Sequence, residues 1–289
     1  MNAQPGRTDT VGFVGLGNLG TPIAERLLAA GTPLVVHDLR ADAMAPLTDA
    51  GAQATSSPTA LAERCRTVLV CVQTDDQCRA VLCGADGLLA GCSAGDLVAL
   101  LSTVHPDTVG ELTAAAAAKG VALVEAPITG QGARSVRDGS VWVLLGGDEA
   151  AVARAEPVLS RFAGRVLRTG SLGSAAALKV AHNVMVYVSY LATAEALDFA
   201  AALGVSADLV AEVTRASGTL SPQMDIYQEI YERRRTEYGD AEEQRYMRAN
   251  AALLAKDLGI AIDLADRHGT ALPGCSLVSR QAAAIYRAE

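Results

Sequence analysis

Two periodicities alternate along the first half of the chain. Short runs that are apolar at nearly every position, Thr10–Val14, Pro33–His37, Thr67–Val72, Leu97–Leu100, Val121–Ala126 and Val141–Leu145, have the pattern of strands covered on both faces. Between them, apolar residues recur at three- and four-residue spacing over Thr21–Ala30, Asp42–Ala50, Pro58–Arg64, Asp75–Leu82 and Pro106–Ala118, which predicts amphipathic helices. Strand and helix in alternation specify a parallel sheet, because each crossover returns the chain to the same end of the sheet. From Gly173 onward the strand signal stops. One long helix is predicted over Ser174–Leu203, closed by Gly204, then helices over Ser206–Ser217, Met224–Leu264 with a break near Gly239, and Ser276–Ala288. The expected architecture is α/β: an N-terminal parallel-sheet domain over residues 1–170, then an all-α C-terminal domain over 171–289.

Composition narrows the class of function. With 289 residues, 50% of them hydrophobic, the chain can bury a full core without covalent or metal staples. A net charge of -8 argues against holding a polyanion, so no nucleic-acid partner is expected. The six cysteines form no CxxC pair and sit mostly in apolar or helical stretches, so neither a disulfide framework nor a metal site is expected, and a reducing cytoplasm fits. The first ten residues are polar and do not read as a signal peptide. The longest apolar stretch, Ala175–Val188, is interrupted by Lys179, His182 and Asn183 and falls short of a bilayer span, so no membrane is expected. Only three of the 24 basic residues are lysine: Lys119, Lys179 and Lys256. A lysine kept inside an apolar helix of an arginine-using protein points to proton chemistry, since a desolvated ammonium can exchange its proton near neutrality and guanidinium cannot.

The first predicted strand runs directly into Gly15-Leu16-Gly17-Asn18-Leu19-Gly20 and a helix. In this G-x-G-x-x-G loop Gly15 permits the tight turn, Gly17 lets a pyrophosphate approach the backbone, and Gly20 lets helix pack on strand. The second strand ends at Asp38, about 20 residues on, where an acid accepts the ribose hydroxyls of a dinucleotide and repels a 2′-phosphate. The domain is thus read as a Rossmann-type fold that binds NAD in preference to NADP, with Arg40 keeping NADP open.

With these blocks in place the chain resembles the 3-hydroxyacid dehydrogenase family over nearly its whole length. The resemblance rests on the glycine block; on Gly84–Leu89 leading into Leu101-Ser102-Thr103-Val104-His105-Pro106; on Glu125-Ala126-Pro127-Ile128-Thr129-Gly130-Gln131-Gly132-Ala133 with Asp138-Gly139-Ser140; and on Lys179–Asn183 with Lys256-Asp257-Leu258. It implies hydride transfer between NAD and a small anionic 3-hydroxy acid or its semialdehyde, in a cleft between the two domains of a homodimer or homotetramer. It matches Lys179 to the family's catalytic lysine, Asn183 to its partner, Thr103 to the turn beside the nicotinamide, and Thr129, Gly130 and Gln131 to the substrate loop. Lys256 is expected at the cofactor or the substrate carboxylate, with Asp257 as an anchor. The residues support this independently: alcohol oxidation needs a base for the hydroxyl proton, and Lys179 and Asn183 leave one helix face a turn apart. A glycine turn after Thr129 exposes backbone donors to a carboxylate. Thr129-Gly130-Gln131 stands where the family commonly carries Ser-Gly-Gly, and His182 where it carries Asn, which bears on the choice of substrate. His37, His105 and His182 are read as structural, Arg233–Arg235 as a solvated face, and the charged stretch 227–248 as a lid or altered subunit contact. Two other readings compete: an imine reductase, whose site does not depend on a lysine, and a dinucleotide-binding protein without turnover.

Overall fold

The computed structural model describes residues 8–235, 241–286 and 288. It divides into two packed units, residues 1–179 and 180–289. The first holds, in chain order, β1 (Thr8–Val14), α1 (Gly20–Ala29), β2 (Leu34–His37), α2 (Ala41–Asp49), β3 (Gln53–Ala54), α3 (Pro58–Ala62), β4 (Cys65–Val70), α4 (Asp75–Cys83), α5 (Leu88–Gly91), β5 (Leu97–Leu100), α6 (Pro106–Ala117), β6 (Ala122–Glu125), β7 (Ile128–Thr129), α7 (Ala133–Asp138), β8 (Trp142–Gly146), α8 (Glu149–Leu159) and β9 (Arg165–Gly170). Helix α9 (Ser174–Ala202) begins in this unit and continues into the second, followed by α10 (Ala207–Ala216), α11 (Pro222–Arg235), α12 (Ala241–Arg267), α13 (Pro273–Arg280) and α14 (Ala282–Tyr286).

The strand order is β3-β2-β1-β4-β5-β6-β8-β7, with β9 paired to β8. Pairing is parallel from β3 to β6; β8 is antiparallel to β6 and β7, and β9 returns parallel to β8. The 3-2-1-4-5-6 order reverses between β1 and β4, and open sheets of this kind leave their ligand crevice at that reversal, beyond the carboxyl ends of the strands. The pleat explains the all-apolar strands. Val11 and Phe13, Leu34 and Val36, Leu97 and Ala99 pack into one core layer, while Val14, Val35, Val68, Val70, Val98 and Leu100 pack into the other. In the second unit the core is tyrosine-rich: Tyr187, Tyr190, Tyr227, Tyr231 and Tyr286 are buried with Leu254 and Leu258. The hydroxyls of Tyr227 and Tyr231 donate to the Ile285 carbonyl and the Asp198 carboxylate, both at 2.8 Å. Each avoids the roughly 1–3 kcal/mol cost of a buried donor left unpaired.

Several elements depart from the sequence reading. The stretch 227–248 is not simply a charged lid: Tyr227, Tyr231 and Met247 belong to the core of the second unit. The predicted break near Gly239 lies outside the described residues, as do the side chains of Arg233–Arg235. The predicted helix Ser276–Ala288 is two helices that part at Gln281. Helix α8 and strand β9 were not predicted. Asp148 caps α8 by accepting from Ala150 and Ala151, but Pro157 within it imitates a stop signal. Strand β9 is half-exposed and carries two arginines, so it lacks the buried-run pattern of its neighbours.

Candidate functional site

Of the three fingerprint glycines, two are required by the protein's own packing. Gly15 has φ +96, donates its N–H to the His37 carbonyl at 3.0 Å, and would drive a Cβ into the Cys71 carbonyl at the end of β4. A Cβ on Gly20 would collide with the Gly15 carbonyl, which fixes how closely α1 descends onto its own entry turn. Gly17 is different: nothing lies within 4 Å of where its Cβ would be. Its bare backbone leaves the room a pyrophosphate needs. Helix α1 also has no side-chain cap at Leu19 and no acid in its first turn, so its leading N–H groups and positive dipole end carry no built-in anion. This cradle fits a dinucleotide.

Asp38 does more than the sequence implied. One carboxylate oxygen accepts the Leu16 N–H at 2.7 Å, and the other accepts the Arg40 N–H at 2.9 Å with the Arg40 guanidinium at 3.6 Å. Arg40 also donates to the Leu16 carbonyl at 3.3 Å. The acid therefore pins the second residue of the glycine loop. A carboxylate offers about four acceptor positions, so acceptor capacity remains for two ribose hydroxyls.

Thr129 closes β7, opposite Trp142 of β8, and the chain then turns through Gly130, Gln131 and Gly132 into α7. The turn is locked from below: Ser135 donates its hydroxyl to the Gly132 carbonyl at 3.0 Å, and a Cβ on Gly130 would strike that hydroxyl. Thr129 and Gln131 are partly exposed. Beside the sheet, Ser102 accepts the Val72 N–H at 3.0 Å, which ties the ends of β4 and β5 and sets the start of the turn that carries Thr103.

At the end of β6, Glu125 is 1% exposed. Its carboxylate accepts backbone N–H groups from Gly173 at 2.7 Å, Ala175 at 3.4 Å and Ala176 at 3.1 Å, the opening turn of α9. Burial pushes its pKa above the ordinary glutamate value, opposed by these three bonds. Lys179 follows on the next turn of α9 and is partly buried.

In the second unit Asn183 is buried and donates its amide to Asp257 at 2.8 Å; Tyr187, one turn on, donates its hydroxyl to the same oxygen at 3.1 Å. Lys256 places its ammonium 2.8 Å from the other Asp257 oxygen. The predicted anchor is thus the hub of a buried network, which also fixes the Asn183 amide: nitrogen toward the acid, oxygen toward His182 Nδ1 at 3.4 Å. Burial first, and then the charge of Asp257, hold the Tyr187 hydroxyl well above its usual pKa, so it stays a donor. His105 caps α6 by accepting the Asp107 N–H, and buried His37 lies 3.0 Å from the Thr55 carbonyl. Among the described residues no cluster of three or more His, Cys, Asp or Glu could hold a metal. Helix α9 is long and apolar enough to cross a membrane by composition alone. Its Asn183 and Tyr187 are tied to α12 through Asp257.

Both halves of the chain have counterparts among known proteins. Residues 10–171 match the family model described as the NAD binding domain of 6-phosphogluconate dehydrogenase, and residues 173–289 match that described as NAD-binding of NADP-dependent 3-hydroxyisobutyrate dehydrogenase. The mitochondrial 3-hydroxyisobutyrate dehydrogenase of Bos taurus is 31% identical over 96% of this chain and 80% of its own length. Among solved structures, a 3-hydroxyisobutyrate dehydrogenase from Salmonella typhimurium superposes with TM-score 0.85 at 28% identity, covering 96% of this chain and 94% of that one. Psf3 in complex with NADP+ and 2-OPP superposes with TM-score 0.84 at 26% identity, covering 96% and 95%. An imine reductase from Pseudomonas sp. shares the fold, with TM-score 0.66 at 17% identity over 95% of this chain and 92% of that one.

Proposed function

Since the chain belongs to the 3-hydroxyacid dehydrogenase family of NAD(P)-dependent oxidoreductases, we propose that it interconverts a small 3-hydroxy acid and its semialdehyde or oxo acid, preferring NAD to NADP, with Lys179 as general acid/base. The nicotinamide, when bound, takes or supplies the hydride. In this reading Lys179 takes the substrate hydroxyl proton in oxidation and returns it in reduction. Asn183 orients the substrate, and the restriction placed on its amide by Asp257 supports a fixed role. Thr129, Gly130 and Gln131 receive the substrate carboxylate, and Lys256 adds positive charge at the carboxylate or the cofactor. Gly15, Gly17 and Gly20, with Leu16, Asn18 and Leu19, hold the pyrophosphate; Asp38 holds the adenosine ribose, and Thr103 flanks the nicotinamide.

The observation that carries the proposal is a Gly17 backbone open to a dinucleotide in the same unit as a lysine on a buried-footed helix. Lys179 with Asn183 weighs against imine reduction, which needs no such pair. The test is a panel of small 3-hydroxy acids, their semialdehydes and cyclic imines with NAD and NADP, read by absorbance of the reduced nicotinamide. Turnover of an acid, and little of its amide, is the expected result. Turnover of imines alone, or cofactor binding without turnover, would replace the proposal with one of its competitors. We further propose a cytoplasmic location, in keeping with the six free cysteines, and self-association, which the exposed apolar side chains of Met185, Phe199, Leu203, Leu209 and Val213 support.

A further inference from the structure

We propose that Glu125 is a positioning residue for the reaction, acting through Lys179 by fixing the rotation and height of the opening turn of α9; this rests on the reading of Lys179 as general acid/base. A helix leaves its first N–H groups unsatisfied, and the nearest polar side chain usually accepts them. Four other helices follow that rule: Ser57, Thr74, Asp148 and Ser206 cap α3, α4, α8 and α10 from the adjacent position. Helix α9 instead takes a carboxylate 48 residues away in sequence, on a sheet strand, where burial penalises its charge. A local cap would satisfy the donors at lower cost, so stability alone does not account for the arrangement.

Geometry supplies the reason. One carboxylate oxygen holds Gly173 and Ala175 while the other holds Ala176, so the turn is gripped at two points and can neither slide nor swivel. Lys179 is four residues beyond Ala175 and three beyond Ala176, the spacing that places side chains one turn apart on one face. The surroundings are shaped around the carboxylate: a Cβ on Gly146 would come within 2.9 Å of it and 3.0 Å of the Ser174 and Thr169 hydroxyls. Those hydroxyls bond one another at 2.7 Å. Four residues downstream of Glu125 the same chain reaches Thr129, so the candidate substrate loop and the helix bearing the candidate acid/base are both referenced to the end of β6. A displacement of about 1 Å in a reacting group can cost on the order of 10²-fold in rate.

The test is a cycle of Glu125→Gln, Lys179→Ala and the double variant in the full chain, assayed with 3-hydroxyisobutyrate and NAD. Glutamine keeps the size but brings an amide donor against one of the three N–H groups. The expected result for Glu125→Gln is a kcat lower by about ten-fold or more, with substrate KM and cofactor affinity within about two-fold. In the Lys179→Ala background the same change should have almost no further effect, because the group being positioned is gone. A Glu125→Gln enzyme with parent kcat, or one that loses the same factor in both backgrounds, overturns the proposal and leaves Lys179 as the base. Parent-like activity of Lys179→Ala overturns the base assignment itself. Should the glutamine variant not fold, Glu125→Asp, which keeps the charge on a shorter stem, carries the same cycle and the same split between kcat and KM.

Discussion

Asp38 shows at the scale of one residue what a sequence motif reveals and what it hides. Its place after β2 marks it as a candidate ribose acceptor, because the fingerprint is local and recurrent. Its second task, holding the Leu16 N–H, depends on a contact across 22 residues and left no trace in the local pattern. Asp38→Asn should therefore do two things: relax the preference for NAD, and raise KM for both cofactors as the loop loosens. Parent enzyme that turns over NADP more efficiently than NAD would show the ribose assignment to be wrong. Lys179 stands out as a candidate because lysine is rare here and this one lies in an apolar helix. Lys179→Ala is expected to lower kcat by about 10² to 10⁴ with cofactor affinity unchanged. Lys179→Arg is the sharper probe, since it keeps the charge but cannot release the proton. An arginine variant near the parent rate would sink the assignment and turn attention to His182. Thr129→Ala should act mainly on KM, and equal turnover of an acid and its amide would remove the case for a carboxylate site.

Elements were legible in proportion to how strongly their own residues specified them. Strands β1, β2, β4 and β5 are buried on both faces and announced themselves; the two-residue β3 and β7 and the half-exposed β9 exist only through their partners. Around the candidate site, the contacts of Glu125 and Asp257 are hidden from the sequence for the same reason. Each is a buried acid satisfied by groups from another element, and sequence spacing shows only that an acid is present. Asp257→Ala should leave the buried Asn183 amide and Tyr187 hydroxyl without their shared acceptor, lowering unfolding free energy by about 1–3 kcal/mol for each group left unsatisfied in a denaturant titration. Glu125 gives a signed pH effect. Its pKa is raised in the folded state, so that state binds the proton more tightly than the unfolded chain. Its contribution to stability is full below the ordinary value near 4.5 and declines as pH climbs through the raised one. Glu125→Gln should flatten that decline, and an unchanged slope would argue against the shift.

For the molecule as a whole, α9 and α10 leave Met185, Phe199, Leu209 and Val213 more than half exposed. Self-association through these residues predicts that Phe199→Glu shifts the sedimentation coefficient toward that of a 29.7 kDa monomer while leaving cofactor binding intact. A parent protein already sedimenting as a monomer would refute it. Helix α9 also bears on how the chain can be cut and recombined. Division at Gly170 follows the sequence signal but strips Glu125 of all three of its N–H partners, leaving a buried carboxylate with nothing to satisfy it. Division after Lys179 keeps that grip but starts the other fragment in the middle of a helix. A chimera joining the glycine-block half of one relative to the helical half of another must therefore inherit the acid and the opening turn of α9 from the same parent, with its seam inside the helix.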